Sequence, residues 1–213
     1  MHEVASRRQL GFVFSFTGFY LAASAIAAWI RGNGEFVFYI VVMLVIIAAL
    51  AWVHRRAGLS AGLLAGLSLW GLLHMAGGLV PIPETWHQGL DQGVLYNLWF
   101  IPGRLKYDQL VHAYGFALTT WLCWQCLLAA TRPLGDGSST LRPSLGLMTL
   151  CAAAGMGFGA LNEVIEFFAT LTLPNTNVGG YENTGWDLVA NLVGSVAAAV
   201  LIAWSEHRGK ATT

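Results

Sequence analysis

Along this chain apolar residues run in long blocks, and most charged residues gather at the block ends. Six blocks approach the roughly 20 apolar residues needed to cross about 30 Å of hydrocarbon. They are Leu10 to Ile30, Phe36 to Val53, Gly58 to Val80, Tyr107 to Ala130, Leu145 to Leu171 and Thr184 to Trp204. None alternates with period two, so the pattern predicts helices and no β-barrel. The expected fold is all-α: a polytopic membrane protein, a bundle of six transmembrane helices in a single transmembrane helical domain over 1–213. The first block, with Arg7, Arg8 and the small-residue run LAASAIAA, also has the form of a cleavable signal peptide. Its apolar run exceeds a signal core, and it is read as a retained helix.

Composition strengthens the membrane reading: 56% of residues are hydrophobic and 10% charged, with a mean hydropathy of +0.60. Orientation follows from the Lys and Arg in the connections. Arg7, Arg8, Arg55, Arg56, Arg132, Arg142, Arg208 and Lys210 fall on one side, against Arg31, Arg104 and Lys106 on the other. Both termini are therefore expected in the cytoplasm. The formal net charge of +0 says nothing of partners in such a protein. Membrane lipid and a lipid-like small-molecule substrate are expected, and nucleic acid is not.

Cys123, Cys126 and Cys151 lie inside predicted spans. The C-x-x-C lacks a second pair or a neighbouring histidine and reads as small packing residues, with no disulfide framework. In lipid, helices associate through small residues. Gly62 and Gly66, Gly155 and Gly159, and the run Gly194, Ser195, Ala197 to Ala199 put helices three, five and six at the packed centre. GMGFGA has dinucleotide-turn spacing, but no strand precedes it, so packing is the better reading. The connection from Pro81 to Lys106, with its YNLWF aromatics, reads as an interfacial segment along the outer surface.

The chemistry sits in the polar exceptions. Asp108 and His112, Asn162 and Glu166, and Asp187 and Asn191 are pairs four apart, each sharing one helix face, with Glu163 adjoining and His74 on helix three. At about 1.5 Å of rise per residue, His74, His112, Glu166 and Asn191 lie roughly 7 to 11 Å below the outer boundary. Four helices thus present polar groups at one level. Asp108, Glu163, Glu166 and Asp187 have no Lys or Arg within those spans, and buried ionisable groups in lipid mark cavities and function. Protons can neutralise them, as can Arg104 and Lys106 reaching in from the rim. So can a divalent metal ion on Asp108, His112, Glu163, Glu166 and Asp187, supported by His74, Asn162 and Asn191. The mixed O/N set suits zinc, iron or manganese; a carboxylate subset suits magnesium or calcium.

YDQLVHAYGF, NEVIEFFATL and ENTGWDLVANLVGS resemble the YjdF-like family of predicted bacterial inner-membrane proteins and, more distantly, VanZ-like proteins. The likeness spans about Tyr107 to Ser195 and implies that Asp108, His112, Glu163, Glu166, Asp187 and Asn191 are the family-type positions. It implies a site and no particular reaction.

Two function classes follow. One is a membrane-embedded metal-dependent hydrolase or transferase acting on a lipid-like substrate, with His112, Glu163 and Glu166 as the catalytic candidates. The other is a proton- or cation-coupled transporter, against which stands the confinement of polar groups to one side. Haem between His74 and His112, and a purely structural cluster of protonated groups, complete the alternatives.

Overall fold

Each of the first three helices begins where a polar side chain can accept from an otherwise orphaned backbone N–H. In the computed structural model, which describes residues 3–86, 93–131, 141–174 and 176–208 (backbone alone for 206–208), α1 spans Arg7–Ile30 behind a Ser6–Gln9 capping box. Asn33 caps α2, Gly34–Ala57. Ser60 caps α3, Ala61–Leu79. The remaining long helices are α4, Tyr107–Thr131, α5, Leu145–Thr172 behind Ser144, and α6, Tyr181–Arg208. All six are long and apolar enough to span a membrane. Arg132 and Lys210 lie outside the described residues, as does the side chain of Arg208.

The connection from Pro81 to Lys106 departs from the expectation of helices and surface loop alone. Its residues 87–92 lie outside the described set. The rest carries two short 3-10 turns, Glu84–Trp86 and Leu95–Asn97, and a small antiparallel hairpin of β1, Trp99–Ile101, and β2, Leu105–Lys106. Strands this short leave no alternation to read. Within the aromatic run Phe100 is exposed, whereas Tyr96 turns inward. Tyr96 packs against α3, where a Cβ on Gly77 would come within 2.3 Å of its ring.

The helices most buried in the bundle are α3, α4 and α6, whereas α1, α2 and α5 face mostly outward. Phe12, Phe19, Trp29, Leu145 and Leu150 are exposed, as suits surfaces in contact with lipid tails. The expected centre of helices three, five and six is thus corrected to three, four and six. The sequence pattern does not single out α4 because most of the small residues at its crossings sit on its partners, although its own Gly115 makes room for the Trp70 ring of α3. Gly66 faces Leu118 and Tyr114, Gly155 faces Thr120, and Gly194 lies on the Ala113 backbone itself. Gly155 and Gly159 are interior to α5 and pack against neighbouring helices, in line with the packing reading of GMGFGA.

Three clusters fill the bundle. Tyr20, Phe36, Tyr39 and Met75 join α1, α2 and α3; Leu59, Leu63, Leu67 and Leu118 join α3 to α4; Trp124, Met148, Cys151, Ala199 and Ile202 join α4, α5 and α6. At the end of the bundle holding the start of α3, Gln125 donates to Ser60 Oγ at 2.7 Å while Ser60 N–H donates back to Gln125 Oε1 at 2.9 Å. That buried pair leaves the α4 side chain no unpaired polar atom. At the opposite end, both oxygens of Glu35 accept from the Asn177 N–H at 2.9 Å, tying the α5–α6 connection to the start of α2. The three cysteines are free.

Candidate metal site

The starts of α4 and α6 and the second half of α5 meet around His112, which is 4% exposed. The i to i+4 spacing sets Asp108 beside it, with Nε2 3.7 Å from Asp108 Oδ1. Across the helix interface, Nδ1 lies 3.1 Å from Asn191 Oδ1 on α6 and 3.5 Å from Glu163 Oε1 on α5. The two ring nitrogens therefore face different carboxylates. Gly159 permits this: a side chain there would come within 2.7 Å of Asn191 Nδ2 and push Asn191 from its place.

Two groups of ligand atoms each gather within 4.8 Å of one another: Asp108, His112 and Asp187, and His112, Glu163 and Glu166. Ligand atoms on a tetrahedral ion with bonds of about 2.0–2.1 Å sit about 3.3 Å apart, so small side-chain adjustments suffice to close the set. Asp187 and Asn191 are 1% and 0% exposed. Among the described residues both oxygens of Glu163, Asp187 Oδ1 and Asn191 Nδ2 have no hydrogen-bond partner. Buried polar atoms are nearly always partnered, so orphaned acceptors pointing into one small region call for a missing donor or cation.

A second ring of polar groups holds these in place. Asn162 donates to Glu166 Oε1 at 2.8 Å. Asn183 donates to Asp187 Oδ2 at 2.6 Å and reaches Asp108 Oδ2 at 3.5 Å, and its own Oδ1 accepts from Lys106. Of the two rim cations expected to reach in, Lys106 does so while also lying over the Trp99 ring at 5.6 Å; Arg104 is exposed in the hairpin turn.

Beside the cluster opens a small pocket whose wall includes Tyr39, His74 and Tyr96 together with Glu35, Asp108, Glu166, Asn177 and Asn183. His74 is in this wall and outside both ligand groups. Its Nδ1 pairs with the Tyr96 hydroxyl at 2.8 Å, which also reaches the His74 carbonyl at 2.8 Å. Burial, with the charges of Asp108 and Glu166, pushes the Tyr96 phenol well above its usual range, so it remains a hydrogen-bond donor. Glu35, Tyr39, Tyr96 and Asn183 were not singled out from the sequence. Asn183 was accessible by the same i to i+4 rule that paired Asp187 with Asn191; Glu35 falls just ahead of the second apolar block, where a carboxylate at a helix start is ordinary.

The family described as Predicted membrane protein (DUF2238) matches residues 12–208. The chain belongs to this family. The DUF2238 match takes in all six helices and every residue of the two ligand groups, and so extends well beyond the second-half likeness noted above; the YjdF-like resemblance is consistent with it. No curated protein and no solved structure matches the chain.

Proposed function

We propose that this DUF2238 protein is a membrane-embedded metal-dependent hydrolase or transferase acting on a lipid-like substrate near the extracytoplasmic face. The observation that carries the reading is the set of partnerless buried oxygens on Glu163 and Asp187, gathered around His112. Four carboxylates in a low-dielectric site repel one another and lose hydration, a cost that a divalent cation relieves directly. Such an ion, when bound, polarises a phosphoryl or acyl oxygen or lowers the pKa of a water; the donor set fits zinc, iron, manganese or magnesium.

The remaining roles fall to the chain's own residues. Asp108, His112 and Asp187 hold the ion. Asn191 Oδ1, at 3.1 Å from Nδ1 of His112, would fix the ring and leave Nε2 available to such an ion, as amides and carboxylates commonly do behind ligating histidines. Glu166, oriented by Asn162 and lining the pocket, takes a proton from the attacking group as general base. Tyr39, His74 and Tyr96 give the pocket an aromatic wall against which the apolar part of a lipid-like substrate would pack. The more distant VanZ-like resemblance adds no step.

Location in an inner membrane with cytoplasmic termini belongs to the same proposal. Arg55 and Arg56 end α2, and Glu35 in the pocket wall begins it, so the site lies at the end of α2 opposite Arg55 and Arg56, which supports this orientation. An impermeant maleimide applied to intact cells is expected to label Pro102→Cys and spare Arg55→Cys; the reverse pattern overturns the orientation.

The functional reading is tested by elemental analysis of the purified protein beside His112→Ala. Stoichiometric metal in the wild type and its loss in the variant are expected. A metal-free wild type that stays metal-free after incubation with each candidate ion sinks the enzyme reading and leaves the carrier and structural alternatives.

A further inference from the structure

We propose that Asn183, oriented by Lys106, is the residue that selects the ion: it confines Asp108 and Asp187 to one ligand oxygen each and so favours a small four-coordinate cation of the zinc type over calcium or magnesium. This rests on the metal reading above and adds the class of ion to it.

The orientation of the Asn183 amide follows from its neighbours. An ammonium group can only donate, and an ionised carboxylate can only accept. Lys106 Nζ donates to Asn183 Oδ1, which turns Nδ2 the other way, to Asp187 Oδ2 at 2.6 Å and Asp108 Oδ2 at 3.5 Å. The two hydrogens of one amide thus serve two carboxylates on two helices. Lys106 is 9% exposed, and among the described residues the close ion pairs of the site are those of His112 alone. Asn183 stands between the ammonium and the aspartates. A lysine that reached them directly would compete with a cation for the same oxygens; one that acts through an amide fixes their direction and leaves the other oxygens open.

What remains for an ion is narrow. Asp108 Oδ1 lies 3.7 Å from His112 Nε2, and Asp187 Oδ1 is buried without a partner. With Asn191 Oδ1 as its acceptor, Nδ1 of His112 carries the proton and Nε2 the lone pair. Two single oxygens and one imidazole nitrogen make three protein ligands, with a fourth position left for water or substrate, as in catalytic zinc sites. Calcium takes about six to eight oxygens, often through bidentate carboxylates, and magnesium requires an octahedron of oxygens. Carboxylates whose second oxygens are tied to Asn183, set beside an imidazole, suit neither.

The start of α6 leaves space for this arrangement. A Cβ on Gly179 would overlap the Asn183 Cβ and come within 3.0 Å of Nδ2. Gly179→Ala therefore displaces the amide while leaving every ligand, Asn183 and Lys106 in the chain.

The test uses the full-length protein in detergent, stripped of metal and titrated separately with Zn²⁺, Ca²⁺ and Co²⁺. Cobalt reports coordination number, since its visible bands are intense with four ligands and weak with six. The wild type is expected to prefer zinc to calcium and to give the intense cobalt bands. In Asn183→Ala and Gly179→Ala the ratio of zinc to calcium affinity is expected to fall at least about tenfold, the low end of what a lost partner behind a ligand costs. The cobalt bands weaken as the released Oδ2 atoms join the ion. Lys106→Met is expected to do the same, and Lys106→Arg, which still donates to Oδ1, to keep both readouts near wild type. A purely structural role would lower the affinity for all ions alike and leave the spectrum unchanged. A six-coordinate cobalt spectrum in the wild type overturns the ion class while leaving the metal reading standing. A spectrum and affinity ratio unchanged in Asn183→Ala and Gly179→Ala overturn the role of Asn183, and the same result confined to Lys106→Met overturns the orienting role of Lys106. A wild type that binds none of the three ions overturns the metal reading as well.

Discussion

Asp187→Asn is expected to lower the affinity of the proposed site for a divalent ion by more than about 100-fold, since even a lost hydrogen bond behind a ligand costs roughly 10–100-fold. The substitution is nearly isosteric. It keeps the acceptor that Asn183 contacts at 2.6 Å and removes only the charge of a carboxylate that is 1% exposed, with Oδ1 unpartnered. Two opposite shifts in thermal stability follow. Without metal the variant melts above the wild type, because one of several mutually repelling buried charges is gone. With saturating metal the order reverses, because only the wild type gains binding free energy in its folded state. Chelator-competition titration gives the affinity, and melting curves with and without the ion give the crossover. A variant that binds metal as tightly as the wild type removes Asp187 from the ligand set.

Gly194→Ala is expected to lower the unfolding midpoint more than any other single-methyl change in the bundle. A Cβ there would stand 1.9 Å from the Ala113 carbonyl oxygen and 2.7 Å from its carbon. Those are main-chain atoms of α4, so no rotamer change relieves the clash and the two helices must part. Overpacking a core costs about 1–3 kcal/mol where side chains can shift, and the upper end is expected here. Because α6 also carries Asp187 and Asn191, separation draws both away from His112 and weakens metal binding as well. Gly157→Ala is the control: its Cβ meets nothing within 4 Å, and alanine is favoured over glycine in a helix by about 1 kcal/mol. Equal losses at the two positions would show that the α4–α6 crossing is not close-packed as described.

How far the fold could be read from the sequence depended on the range of the signal. The six helices were legible because apolar blocks bounded by caps and charges are local features, and their ends fall within a few residues of the block limits. The meeting of Asp108, His112, Glu163, Glu166, Asp187 and Asn191 was legible because equal depth and shared faces follow from helix geometry alone. The rest depended on long-range packing. Glu35 enters the pocket wall through a bond to Asn177, 142 residues away, which no local pattern announces. The central place of α4 is written in its partners' glycines. Tyr96 turns inward because Gly77 leaves room for its ring, and the sequence shows Tyr96 only as one aromatic among several. His74 shares the level of the cluster but belongs to the aromatic wall, since depth alone does not fix direction around a helix.

The central claim, that a metal ion is held by this cluster, is tested most directly by X-ray absorption fine structure at the edge of the bound metal in the purified protein. The account predicts a first shell of oxygen and nitrogen only, with the multiple scattering of one imidazole that disappears in His112→Ala. A shell containing sulfur would place the metal at Cys123, Cys126 or Cys151, and a shell of oxygen without imidazole scattering, unchanged in the variant, would contradict the assignment to His112.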